Sequence, residues 1–192
     1  MANVKIKQTE ILSDEHYTLK RITFDLQKKN GDWETQQREI FDHGNAASAL
    51  LYDPNRRTVI LTRQFRLPTY INGNPTGNLL EACAGLLEEG EDPAETIKRE
   101  ILEETGYEVK EVEKIMEVYT SAGSLTELLH LYIAPYTPEQ KKAEGGGLEE
   151  EGEEVHVLEM PFDEAVHLLE KGEIKDAKTV MLLQYALLKK LF

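Results

Sequence analysis

Polar and apolar residues alternate from Val4 to Asp42, with Ile22, Phe24 and Leu26 recurring against polar neighbours and Asn30-Gly31-Asp32 marking a turn. This pattern predicts an N-terminal antiparallel sheet. Two more apolar runs, Ala47–Tyr52 and Thr58–Phe65, flank the turn Asp53-Pro54-Asn55 and read as core strands, with Phe65 expected in the core. Tyr70–Gly77 reads as a loop, Val112–Tyr119 and Leu128–Ala134 as strands, and Val155–Glu159 as a further strand. Helices are expected at Phe162–Lys171 and at about Asp176–Leu191, the second apolar around much of its circumference.

A helix over Glu91–Glu104 has the most complete signals. Asp92 suits the N-cap, Pro93 the first helical position, Glu95 the last residue of an Asp-x-x-Glu capping box, and Gly106 the C-terminal stop. At about 100° per residue, Glu100, Glu103 and Glu104 fall within one arc of about 100°, beside Ile97 and Ile101. Three carboxylates therefore converge at the edge of a buried face. A solvated acidic face is the ordinary origin of a single Glu pair. Like charges at i,i+4, however, destabilise a helix by a few tenths of a kcal/mol, and a cation removes that penalty. Arg99 stands four residues before Glu103 and is placed to pair with it. Oxygen ligands without nearby His or Cys favour Mg²⁺, with Mn²⁺ as the alternative.

The stretch Gly85–Tyr107, GLLEEGEDPAETIKREILEETGY, resembles the Nudix box, Gly-x5-Glu-x7-Arg-Glu-U-x-Glu-Glu-x-Gly-U. Gly85, Glu91, Arg99, Glu100, Glu103, Glu104 and Gly106 fill its fixed positions, with Ile101 at the first U and Tyr107 an aromatic departure at the last. ILSDEHYTL, REIFDHGNAA, RQFR, EACAGLL, TSAGSLTELLH, GGGLEEE and GEIKDAKT extend a looser similarity to the ADP-sugar branch, nearest to enzymes acting on GDP-mannose. That resemblance implies an α/β fold, a Nudix α/β/α sandwich with an N-terminal antiparallel sheet. It implies a strand-rich dimerisation subdomain at 1–44, exchanged in a homodimer, and a hydrolase domain at 45–192. The implied reaction is Mg²⁺-dependent hydrolysis of a nucleotide sugar, GDP-mannose giving GMP and mannose 1-phosphate. ADP-ribose hydrolysis and a non-catalytic Nudix-fold binding protein are the alternatives.

Carried over position by position, the resemblance implies a metal shell of the Ala84 carbonyl, Glu100, Glu104 and Glu151. Glu103 would support it, and Glu151 would alternatively handle the attacking water; catalysis would fall on Glu151, Glu103 and Glu100. Substrate contacts would come from Tyr17, Arg38, Glu39, Arg66, Glu127, Glu150 and Lys178, with His16 a neighbouring possibility. ADP-sugar hydrolases commonly carry proline where this chain has Ala122, which weighs against ADP-ribose.

Composition narrows the setting. A net charge of −14 opposes binding of polymeric nucleic acid, although metal ions reconcile it with a small phosphate substrate. The single cysteine, Cys83, excludes an intrachain disulfide, and no apolar run approaches a membrane span, so a cytoplasmic soluble protein is expected. His130 lies in an apolar strand and reads as a packed residue. Residues 138–154, with three consecutive glycines and clustered acids, read as a mobile loop. The resemblance, which continues through GGGLEEE, implies that Glu151 acts from the 145–154 loop and closes over the bound metal–pyrophosphate complex, with Glu149, Glu150 and Glu153 as near alternatives.

Overall fold

The computed structural model describes residues 3–147 and 154–192. Near the N terminus the alternation produces β1 (Val4–Asp14), β2 (Thr18–Gln27) and β3 (Trp33–Asp42), an antiparallel sheet in that order. β2 and β3 stay in register from Thr18↔Asp42 to Gln27↔Trp33, and the turn between them passes through Gly31 at φ +92°. This compact unit runs to Asn45 and also takes in Tyr119–Leu128. The Phe41 N–H donates to the Ser124 carbonyl at 2.8 Å, and the Thr126 N–H donates to the Phe41 carbonyl at 3.2 Å.

A second unit comprises Ala46–Val118 and Leu129–Phe192. Its elements in chain order begin with β4 (Ala46–Asp53), β5 (Thr58–Phe65), α1 (Leu67–Ile71), β6 (Asn78–Glu81), β7 (Cys83–Leu86) and α2 (Pro93–Glu100). β8 (Glu113–Tyr119), β9 (Leu128–Pro135), β10 (Val155–Pro161), α3 (Phe162–Glu170) and α4 (Ala177–Lys189) follow. The sheet order is β10-β5-β4-β9-β8, with β4 and β9 parallel. Alternation along β4 sends Ala46 and Leu50 to one core with Leu131, Phe162, Leu182 and Leu183. Ala47, Ala49 and Leu51 go to the other, with Ile97, Ile101 and Tyr132. The sheet is thus buried on both faces, α3 and α4 covering one and α2 the other, which is an α/β/α sandwich.

One irregularity shapes the site. β4 pairs with β5 only at Leu51–Asp53, while β4 pairs with β7 over Ala46–Ala49 and β5 with β6 over Thr62–Phe65. The segment 78–86 therefore fills the gap where β4 and β5 part, changing partner at Ala82. There the Ala82 N–H donates to the Thr179 hydroxyl of α4 at 2.7 Å, so the break in the ladder leaves no orphaned donor.

Several expectations need correction. β6 and β7 are not apparent from periodicity, because each is only four residues long. Leu67–Ile71 forms a short helix ahead of the 72–77 loop. Phe65 is half exposed and faces Tyr70, with ring centroids 6.1 Å apart, instead of entering the core. In α4, Leu182, Leu183 and Ala186 are fully buried whereas Leu188 is 83% exposed, so much of its apolar surface is absorbed by the core. Among the described residues no helix is long and apolar enough to cross a membrane.

Candidate active site

α2 starts as its sequence dictates. The Asp92 carboxylate accepts from the Ala94 N–H at 2.8 Å and the Glu95 N–H at 3.3 Å, with Pro93 in the first turn. Among the described residues the reciprocal half of the capping box does not form; the Glu95 carboxylate accepts from Lys98 at 2.7 Å. Ile97 and Ile101 are fully buried against the sheet and fix the rotation of the helix. α-Helical geometry ends at Glu100, and Ile101–Thr105 continues as a π-helical turn. The uniform 100° spacing consequently fails beyond Glu100, since a π turn advances less per residue. The Thr105 hydroxyl bonds to the Ile101 carbonyl at 2.5 Å, the kind of back-bond that bends helices. Gly106 ends the turn at φ +75°.

Arg99 gathers more of the motif than Glu103 alone. Its Nη1 donates to Glu100 at 2.8 Å and to Glu103 at 3.1 Å, and its Nη2 lies 3.5 Å from Glu91. Glu91 also accepts from the Glu88 N–H at 3.1 Å, fastening the loop before the helix. Glu104 is buried. Cys83 is buried as well, and burial followed by the neighbouring Glu104 carboxylate pushes its thiol well above the usual range. A Cβ on Gly85 would collide with the Glu100 side chain. β7 thus runs with Cys83 against Glu104 and Gly85 against Glu100, and Ala84 stands between the two contacts.

A second cluster joins the end of β5 to the start of α4. Glu81 accepts from Arg66 Nε at 3.0 Å, from Arg66 Nη2 at 2.7 Å and from Lys178 Nζ at 3.1 Å. Lys178 also pairs with Asp176 at 3.0 Å, whose other oxygen accepts from the Thr179 N–H at 3.0 Å. Burial would raise the Glu81 carboxyl, but the Arg66 and Lys178 cations hold it below its usual range. Arg66 shows the converse: burial opposes its charge, while Glu81 and then the field of Glu104 and Asp176 raise its pKa. Arg66, implied by the resemblance as a substrate contact, is therefore held by a buried carboxylate and lies within the field of the box.

The glycine-rich segment is also pinned where it is described. The Lys142 and Ala143 N–H groups donate to the Gly106 carbonyl at 2.7 and 3.2 Å. The Gly146 N–H donates to Glu104 O at 2.8 Å, and the Gly147 N–H to Glu103 O at 3.3 Å. Gly145, Gly146 and Gly147 all have positive φ, and a Cβ on Gly145 would meet the Glu104 carbonyl. Glycine here permits close backbone approach to the end of the box, so residues 138–147 are not the mobile loop expected. Glu150 and Glu151 lie outside the described residues.

The remaining predicted contacts belong to the first unit. Glu39 on β3 is paired with Arg21 at 3.1 Å, and Arg38 Nη1 donates to the Gln37 carbonyl at 2.7 Å. Tyr17 lies in a ring cluster with His16, Phe41 and His43 at centroid distances of 4.3 to 5.5 Å. Glu127 accepts from the Thr120 hydroxyl. In the second unit His130 is buried, with Nδ1 3.4 Å from Glu117, and desolvation followed by Lys114 lowers its pKa. Glu81, Asp176 and Thr179 receive no role from the sequence, although Glu81 opens the stretch EACAGLL and Asp176 and Thr179 lie in GEIKDAKT, both part of the wider resemblance. Glu81 is also an acid inside the apolar run Leu79-Leu80-Glu81-Ala82-Cys83.

Carboxylates arrayed on one helix, packed across a bare glycine on a two-sided sheet, define a hydrolase of the Nudix class. The chain belongs to the Nudix family: a NUDIX domain model matches residues 42–183. A model of the GDP-mannose pyrophosphatase NudK N-terminal domain matches residues 3–41. A GDP-mannose pyrophosphatase of Cronobacter sakazakii is 50% identical over 183 residues, covering 95% of this chain and 94% of the relative. Its namesake in Escherichia coli (strain K12) is 48% identical over 182 residues, with 95% and 94% covered.

Proposed function

We propose that this protein hydrolyses the pyrophosphate bond of a nucleotide sugar, with GDP-mannose the preferred substrate and GMP and mannose 1-phosphate the products. The observation that carries the reading is the complete, internally braced box: Arg99 fastens Glu91, Glu100 and Glu103, and β7 seats Glu100 and Glu104 on either side of Ala84. A catalytically silent relative has no need of that arrangement. The GDP-mannose pyrophosphatases named above supply the substrate.

The family's chemistry is metal-dependent, and the donor set here fits a hard cation. Glu100, Glu104 and the Ala84 carbonyl offer oxygen only, and the space a Gly85 side chain would take is occupied by the Glu100 side chain. Among the described residues no group of three His, Cys, Asp or Glu side chains has metal-holding geometry, and Glu151 is proposed as the remaining ligand. Bound Mg²⁺, or Mn²⁺ in its place, would neutralise phosphate charge and lower the pKa of a coordinated water. Glu103, held by Arg99, supports the ligands. Arg66 and Lys178 offer cationic donors to the phosphates. Tyr17, Arg38, Glu39, Glu127 and Glu150 are proposed to contact nucleoside and sugar. Water adds to one phosphorus, the bridging P–O bond breaks, the departing phosphate keeps the bridging oxygen, and Glu151, in its alternative role to metal ligand, is the proposed acceptor of the water proton.

The N-terminal segment 1–44 is proposed as a dimerisation subdomain beside a hydrolase domain at 45–192, in a cytoplasmic homodimer. Sedimentation at assay concentration checks the assembly: an active monomer removes any obligatory contribution from a partner. The substrate is tested by kcat/KM on a panel including GDP-mannose, ADP-ribose and nucleoside triphosphates. GDP-mannose should lead it, and dominance of a triphosphate would overturn the reading.

A further inference from the structure

Glu81 lies outside the box motif, yet its side chain is only 4% exposed and accepts charged hydrogen bonds from two cations on different elements. Stability alone is a weak reason for such a cluster, because well-packed apolar residues commonly match or exceed a buried ion pair. The geometry suggests another reason. Glu81 takes the Nε and Nη2 edge of Arg66, leaving Nη1 outside that grip. An ammonium has three donors, and Lys178 directs one to Glu81 and one to Asp176, leaving a third. Asp176 is itself fixed as the cap of α4 by the Thr179 N–H at 3.0 Å and the Thr179 hydroxyl at 2.6 Å. The same strand segment continues through Ala82 to Ala84 and Gly85, against which Glu100 rests.

We propose that Glu81 is a positioning residue for the phosphates of the substrate: it holds Arg66 and Lys178 so that their remaining N–H donors meet the pyrophosphate in fixed directions. This rests on the pyrophosphatase reading and deepens it by assigning a task to a residue outside the motif. Glu81 itself touches no substrate; it acts through the two cations. Neutralising the pair is not sufficient for that task, since the direction of the donors is set by the reach of the carboxylate.

The test is a double-mutant cycle combining Glu81→Gln and Glu81→Asp with Arg66→Ala, in the full chain. Misplacement by about 1 Å can cost about 10²-fold in rate, so each Glu81 substitution should lower kcat/KM by about that factor. In the Arg66→Ala background most of that loss should disappear. Glu81→Asp retains the charge and carries the cycle if Glu81→Gln fails to fold. Calorimetric titration with inorganic pyrophosphate in the presence of Mg²⁺ provides a readout independent of which nucleotide sugar is hydrolysed. There too the Glu81 substitutions should weaken binding only while Arg66 is present. Full additivity of the two losses would overturn the proposal, as would wild-type kcat/KM and pyrophosphate affinity in the Glu81→Asp variant. If no nucleotide sugar is hydrolysed but the pyrophosphate cycle remains coupled, the substrate reading fails and the positioning role stands.

Discussion

Replacing Gly85 with alanine puts a methyl group where the Glu100 side chain now lies, in conflict with its Cγ, Cδ and Oε1 atoms. Non-bonded carbons settle at about 3.5–4.0 Å, so Glu100 must withdraw by more than about 1 Å. That movement strains its 2.8 Å contact with Arg99 and takes the carboxylate from its place against Gly85, beside Ala84. Displacement on this scale costs about 10²-fold in rate, equivalent to about 2.7 kcal/mol of barrier. The backbone should not object: Gly85 is a strand residue without a positive φ, and alanine in a strand interior recovers roughly 0.5–1 kcal/mol of conformational entropy. Gly85→Ala should therefore keep or slightly raise its melting temperature while kcat/KM falls about 10²-fold. The concentration of Mg²⁺ giving half-maximal rate should rise. Product release measured across a Mg²⁺ series, beside thermal unfolding of the same preparation, reads all three. Activity within about threefold of the parent at every Mg²⁺ concentration would refute the account of Glu100, since misplacement on this scale is expected to cost far more. Equal losses of fold and activity would refute the claim that only the carboxylate moves.

Other expectations follow from the same geometry. EDTA should abolish activity and Mg²⁺ restore it, while Glu100→Gln and Glu104→Gln should remain folded by circular dichroism and lose about 10²-fold or more; near-normal turnover of both at limiting Mg²⁺ would discard the ligand assignment. Among Glu149→Gln, Glu150→Gln, Glu151→Gln and Glu153→Gln, one substitution, expected at Glu151, should cost about 10²–10⁴-fold in kcat, and four normal values would remove the loop base. Glu81 has a depressed carboxyl in the folded chain, so its contribution to stability is complete above its unfolded value of 4.5 and is lost as pH falls through its lower folded value. Urea midpoints should then fall more steeply on acidification below 4.5 for the parent than for Glu81→Gln, and parallel curves would contradict that linkage.

The box is legible in the sequence because its signals are local. A capped helix start, a fixed spacing of acids and a glycine stop all lie within one short stretch, and the cap at Asp92 and the stop at Gly106 form as read. What the stretch does not reveal is its geometry past Glu100, where a π turn replaces the even helical spacing. The N-terminal hairpins are likewise written in period-two alternation. β6 and β7 are not, because four residues that change partner midway carry too little periodicity to register. Arg66 and Lys178 enter through resemblance, but the acid that joins them lies 15 residues from one and 97 from the other. No local pattern signals a meeting at that range. Phe65 is misplaced for the same reason: alternation sets its side of the strand, not what covers that side.

The hydrogen bond from the Ala82 N–H to the Thr179 hydroxyl spans 97 residues of sequence. During synthesis the box helix leaves the ribosome long before α4, and contacts between distant parts of a chain form late because loop closure must precede them. A nascent chain can hold every residue of the motif and still lack the latch at Ala82, together with the Lys178 and Asp176 contacts that arrive on the same segment. Completion of the Glu81 cluster is thereby tied to translation of α4, and a ribosome stalled before it would present a box with one side of that cluster missing.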